Sequence, residues 1–230
     1  MSTRLVPAAI LTLMVLAVPP AMAQGTYQFG VLPAVNLNSS LKKDWSINAR
    51  VESRQLFKSG QLGDGDNIQY EYVLTDFSII AAKTIGLNSR LAGGYLLRVE
   101  GSEIAHRFIQ QYIIVQKLSG FRLAHRFVCD QTFSNREKLE LRLRYRISAE
   151  IPLNGRTVDP REFYLKFNNE FLNSWQSKEY DQEIRLAPYI GYGATERLKL
   201  ETGLDYRVDA FLRNPGRHSF WIAMNVFVDL

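Results

Sequence analysis

REKLELRLRYRISAEI, residues 136–151, is the stretch that decides the fold. Leu139, Leu141, Leu143, Tyr145, Ile147, Ala149 and Ile151 share one parity, while Lys138, Glu140, Arg142, Arg144, Arg146 and Glu150 share the other. A period of two is the mark of a strand. At helical spacing the same residues would spread charge around every face and leave no stripe to bury. The strand therefore has one apolar and one charged face. It exceeds the usual globular strand of about five or six residues and matches the roughly 9–11 residues with which a tilted strand crosses a membrane.

The same alternation extends outward in both directions. Upstream, 26–36 reads as a weak strand. It is followed by 45–57, the aromatic run 68–83 with blurred parity that points to a bulge, 89–100, and a hairpin of 105–118 with 121–133 around Ser119 and Gly120. Placing Leu118 opposite Phe121 puts Arg107, Gln111 and Lys117 on one face with Arg122, Arg126 and Asp130. Downstream come 162–175, 182–193, 197–208 and 218–230, with a turn at 213–216. No Pro/Gly-rich linker divides them. The expectation is all-β: an antiparallel up-and-down transmembrane β-barrel of about 10–12 strands. Eleven strands can be counted, but bacterial single-chain barrels are even. That favours ten or twelve, with 26–36 outside the ladder or one strand missed, over a parallel closure of the first and last strands.

The first 23 residues, MSTRLVPAAILTLMVLAVPPAMA, carry an early Arg4, an apolar run and a small-residue site at Ala21-Met22-Ala23. They read as a secretory signal peptide, leaving 24–230 as a single outer-membrane barrel domain. Beyond them no run approaches the roughly 20 apolar residues of a membrane helix, so a membrane-spanning form must be a closed barrel. Cys129 is the one cysteine, which excludes an intrachain disulfide. The net charge of +5 is dispersed along alternating strands, and no nucleic-acid partner is expected.

Alternation alone does not distinguish a membrane barrel from a soluble lipocalin-like one with the faces reversed. Strand length, loops that alternate shorter and longer, and aromatic residues near strand ends (Trp45, Phe121, Phe163, Trp175, Tyr192) favour the membrane. An arginine turned to lipid at midplane costs about 2–4 kcal/mol, so in an embedded barrel the charged face looks inward. The expected lumen-lining charge network is Arg50, Glu52, Arg54, Arg98, Arg107, Arg126, Glu140, Arg142, Arg144, Arg146, Glu162, Lys166, Glu170, Arg185, Glu201, Asp205 and Arg207.

The segments AHRFIQQYIIVQKLSGFRLAHRFVCDQTF (105–133), RLRYRISAEIPL (142–153), YLKFNNEFLN (164–173) and DQEIRLAPYIGYGATERLKLETGLDYR (181–207) carry a family likeness. With their order and the paired His-Arg-Phe triplets at 106–108 and 125–127, the chain resembles the domain-of-unknown-function family 2490, small exported barrels of Gram-negative bacteria. The resemblance covers most of the chain from about residue 70 onward. It implies an outer-membrane location and no established reaction or site. The chain ends on Leu230 where outer-membrane barrels usually end on an aromatic residue.

The functional expectation is a non-enzymatic outer-membrane barrel, either a narrow polar-lumen channel or a structural barrel presenting its loops. Its partners would be outer-membrane lipid and the barrel-assembly machinery, with any small solute unspecified and no cofactor or metal. One alternative is a lipid- or peptide-hydrolysing barrel enzyme, with His106, Ser102 and Glu103 near one rim as its candidates. The hairpin register holds His106 and His125 too far apart to form a dyad, and neither has a nucleophile in a recognisable pattern. Asp64, Asp66 and Asn67 lack the full spacing of a calcium loop. A second alternative is a soluble periplasmic binding barrel.

Overall fold

In the computed structural model, which describes residues 25–61, 68–135, 138–210 and 216–230, the chain forms strands and no helix. The strands are β1 (Thr26–Ser40), β2 (Trp45–Gln61), β3 (Ile68–Thr84), β4 (Ser89–Glu100), β5 (Glu103–Leu118), β6 (Phe121–Ser134), β7 (Glu140–Pro152), β8 (Glu162–Gln176), β9 (Glu179–Gly193), β10 (Leu198–Asp209) and β11 (Arg217–Asp229). Each pairs antiparallel with its neighbour in sequence, and β1 closes on β11, giving a closed eleven-stranded barrel. The segment 1–23, the candidate calcium loop at Asp64, Asp66 and Asn67, and all of the 213–216 turn but Gly216 lie outside the described residues.

The expected even strand number is corrected to eleven. β1 and β11 run parallel, in register from Thr26 with Arg217 to Asn38 with Asp229. With one chain reversal between each pair of consecutive strands, an odd number leaves the first and last strands pointing the same way, so closure requires a parallel seam. The weak strand at 26–36 is a full wall strand, also laddered antiparallel to β2. The strand carries no charged residue, and its inward side buries Leu32, Ala34 and Asn36, which is why its alternation is faint.

The β5–β6 hairpin has the expected register, with Leu118 opposite Phe121 and Arg107 opposite Thr132. Gly120 takes φ of 91° in the turn, a conformation that glycine adopts without steric cost. Ser177 and Lys178 both take positive φ in the β8–β9 turn, so β9 starts at Glu179, earlier than its alternation indicates. The blurred parity of β3 is a bulge. Arg54 pairs with Leu74 while the next residue, Gln55, pairs with Tyr72, leaving Val73 as the extra residue.

Connections do not sort by length as expected. Two-residue turns at 101–102 and 177–178 occupy the end opposite the short connections at 41–44, 85–88, 119–120 and 194–197. The wall itself is inside-out for a water-soluble protein. Leu141, Leu143, Phe108, Phe127, Phe171 and Ile190 are exposed on the outside, while Arg107, Asp130, Arg142, Glu170, Glu201 and Arg207 are buried within. Aromatic side chains pair near both rims: Phe163 with Tyr192 at one end, ring centroids 4.8 Å apart, and Trp175 with Tyr180 at the other, 5.4 Å apart. On the seam side Leu32, Leu56, Trp221 and Ala223 form one apolar cluster inside, beside the buried Asn36, Ser219 and Asn225.

Candidate functional site

The lumen is organised by two carboxylates that the opening stretch holds through consecutive inward arginines. Arg142, Arg144 and Arg146 lie on β7 opposite Asp130, Val128 and Arg126 of β6, and opposite Ser174, Leu172 and Glu170 of β8. Alternation sends all three arginines inward, and β6 and β8 each bring one acid to meet them. Asp130, with no exposed surface, receives Arg142 Nε at 2.7 Å and Arg144 Nη2 at 2.7 Å, and Arg107 Nε stands at 3.6 Å. Glu170 is as deeply buried. Its oxygens face Arg146 Nε at 2.8 Å, Arg185 Nη1 at 3.2 Å, Arg126 Nη2 at 3.3 Å and Arg144 Nη1 at 3.8 Å. Arg144 bridges the two clusters.

Around this centre the remaining pairs are local. Arg98 donates two bonds to Asp76, at 2.8 and 2.7 Å. Arg185 makes a two-pronged contact with Glu183 at 2.7 and 3.0 Å, as Arg207 does with Asp205 at 2.8 and 3.1 Å. Arg50 pairs with Glu52. Lys166 Nζ reaches both oxygens of Glu201, at 2.8 and 3.0 Å, and the Tyr164 hydroxyl donates to the same carboxylate at 2.9 Å. The Arg54 guanidinium lies 5.3 Å above the centre of the Trp221 ring, linking the charged side of the lumen to the apolar seam. Such forked pairs fix the planes of both partners. They fill the interior around Asp130 and Glu170, which have lost almost all of their exposed surface.

Two of the sequence-predicted residues sit away from this centre. Glu162 accepts from Asn154 Nδ2 at 2.7 Å and from the Asp159 amide at 3.2 Å, so its carboxylate fastens the 153–161 loop. Glu140 stands 3.7 Å from Arg142 and lines a polar cavity of about 140 Å³ at the other mouth, with Arg98, Glu100, Glu103 and Arg107. The reading from sequence omitted Asp76, Asp130 and Glu183 from the network. Asp130 and Glu183 were legible as inward residues of the hairpin and of β9, whereas Asp76 was hidden by the bulge at Val73.

Tyr164 also depends on a glycine. It is almost completely buried, and a Cβ added at Gly191, its cross-strand neighbour, would run into its ring. Gly191→Ala is therefore expected to displace the ring, weaken its bond to Glu201 and cost about 1–3 kcal/mol by overpacking. Urea unfolding of the purified barrel measures this.

The enzymatic candidates are not brought together. His106 points outward and bonds to Tyr95, whereas Glu103 lines the inner mouth cavity. His125 and His218 likewise face outward, against the Tyr145 and Tyr206 hydroxyls at 2.9 and 2.8 Å. Each histidine thus shares its hydrogen bond with a phenol, which orients neither a serine nor a thiol as a nucleophile. Among the described residues no group of three or more His, Cys, Asp or Glu side chains is arranged to hold a metal ion.

A family model described as "Protein of unknown function (DUF2490)" matches residues 29–214. No curated protein and no solved structure matches the chain.

Proposed function

The chain belongs to the DUF2490 family of proteins of unknown function, and from that premise we propose that it is a non-enzymatic outer-membrane β-barrel whose lumen is closed by its own charge network. The observation that carries this reading is the inverted wall. Apolar side chains such as Ile190, 55 % exposed, and Phe108, 50 % exposed, cover the outside, while Asp130 and Glu170 retain 0 and 1 %. Monomers in water seldom expose contiguous apolar patches beyond a few hundred Å², and here the apolar surface runs around the barrel. Hydrocarbon is the medium in which that wall costs nothing, and a closed ladder leaves no edge to face it.

Three further features support the membrane reading. The aromatic pairs near both rims suit the two lipid–water interfaces. An apolar hollow of about 340 Å³ on the outer wall, lined by Val35, Leu37, Ala49, Phe77 and Ile79 among others, suits an acyl chain. The signal-like first 23 residues provide for export. Inside, the arginine–carboxylate clusters leave room for ions or very small solutes at most. On this reading the barrel works as a rigid platform that passes at most ions or very small solutes, and no wide pore is expected.

Fractionation of expressing cells tests the proposal, followed by conductance of the purified protein in planar bilayers. Recovery in urea-washed outer membranes, a gel-mobility shift between unboiled and boiled samples, and no large steady conductance are the expected results. Release with the soluble periplasmic fraction would sink the membrane reading. Porin-sized ohmic conductance would sink the closed lumen.

A further inference from the structure

The outer wall carries a polar feature that the membrane reading leaves unsatisfied. Gln110 of β5 and Gln131 of β6 both face outward and bond to each other reciprocally. Gln110 Nε2 donates to Gln131 Oε1 at 3.2 Å, and Gln131 Nε2 donates to Gln110 Oε1 at 3.1 Å. Cys129, directly opposite Gln110 in the ladder, places its sulfur 3.3 Å from Gln131 Nε2. Phe108, Tyr112, Phe127, Phe133, Leu141 and Leu143 surround them, all exposed.

Gln110 stands at the middle of its strand, halfway between His106 and Ile114, the residue opposite His125. Those eight residues span about 27 Å of strand at about 3.4 Å each, or about 20 Å along the axis at a tilt of about 35–45°. The amides therefore lie near the centre of the apolar band. A primary amide offers two N–H donors and two acceptor lone pairs, and the reciprocal pair uses only part of this capacity. Lipid supplies no partner for the remainder, and an unpartnered amide in an apolar medium is costly.

We propose that the outer face of β5–β7 docks a second copy of this chain within the membrane, with the two Gln110–Gln131 pairs meeting about a two-fold axis. The inference rests on the membrane reading. The second copy is favoured over another partner because the patch is complementary to itself. It carries no formal charge; the second N–H of Gln110 lies beside the remaining lone pairs of the amide oxygens, and a two-fold operation sets that donor of each pair against an acceptor of the other. The rings and leucines around the amides then pack as the apolar surround of the contact. Cys129 would lie close to its own symmetry mate.

Crosslinking of the full chain in isolated membranes with a short bismaleimide tests this. A product of twice the chain's mass is expected, absent from Cys129→Ser and lost from the double variant Gln110→Leu with Gln131→Leu. A cysteine moved to the far wall, Leu204→Cys in the Cys129→Ser background, is expected to give no product and serves as a control that needs no change in the patch. Heat-dependent gel mobility reports whether each variant has folded. A folded, membrane-embedded barrel without a Cys129 product overturns the dimer alone, as does a product of any other mass or one indifferent to the glutamine changes. A chain released as a soluble protein overturns both this inference and the reading beneath it.

Discussion

Glu170→Gln is expected to destabilise the barrel by about 3–5 kcal/mol, the usual consequence of removing one partner from a buried ion pair. The reason lies in the arrangement and not in any single bond. Arg146, Arg185, Arg126 and Arg144 all converge on the two oxygens of a carboxylate that is 1 % exposed. Glutamine keeps the volume and removes the charge, so the guanidinium groups repel one another across a space that water barely reaches. The variant should show an earlier urea midpoint for loss of the fast-migrating unboiled band, with the rim pair of Arg217 and Asp209 as a control. That pair is held at 2.8 Å but is half open to solvent on the arginine side, so Asp209→Asn should shift the midpoint by no more than about 1 kcal/mol. Adding Arg146→Leu to Glu170→Gln should recover part of the loss, because the second change removes one of the stranded charges and the two sites share a network. Strict additivity of the two effects would show that the cluster does not act as a unit.

That a single carboxylate carries such weight follows from features largely legible in the sequence. Strict alternation over Arg142, Arg144 and Arg146 assigns them to one face, and a two-residue turn with no spare residue sets the β5–β6 register down to His125 opposite Ile114. Both are local properties of the chain. What could not be read depends on long-range geometry. Closure of β1 on β11 joins segments about 190 residues apart, and no local pattern records a parallel seam. The bulge at Val73 displaced the parity of β3, so Asp76, which binds Arg98 by two bonds, went unrecognised. The apolar seam was missed for a similar reason. On β11 the parity of Phe220, Ile222, Met224 and Val226 separates Ile222, which points out, from Trp221, which points in, but only the closed barrel shows that Trp221 meets Leu32 and Leu56. The reading from sequence could separate the faces of each strand, but it could not tell how many strands would close or which acid would meet which arginine.

The medium outside the wall can be read from a substitution on the outer face that leaves the interior untouched. Leu204→Arg changes an outward residue at the middle of β10, 40 % exposed and paired across the ladder with Ile222. If lipid surrounds the barrel, a guanidinium there is expected to cost about 2–4 kcal/mol, as charged residues do at the bilayer midplane. If water surrounds it, the change falls on a solvated surface and should stay within about 0.5 kcal/mol. Leu87→Arg supplies the reference. Leu87 sits in the 85–88 turn at one rim, fully exposed, where either medium accepts a charge at little cost. Urea unfolding of the two variants in phospholipid vesicles, beside the unsubstituted protein, measures the difference. A large loss for Leu204→Arg with none for Leu87→Arg is the expected outcome, and equal small effects would mean that the apolar wall does not meet hydrocarbon. The comparison holds the substitution and the residue type constant while moving the charge from the middle of the outer wall to a solvated turn at the rim.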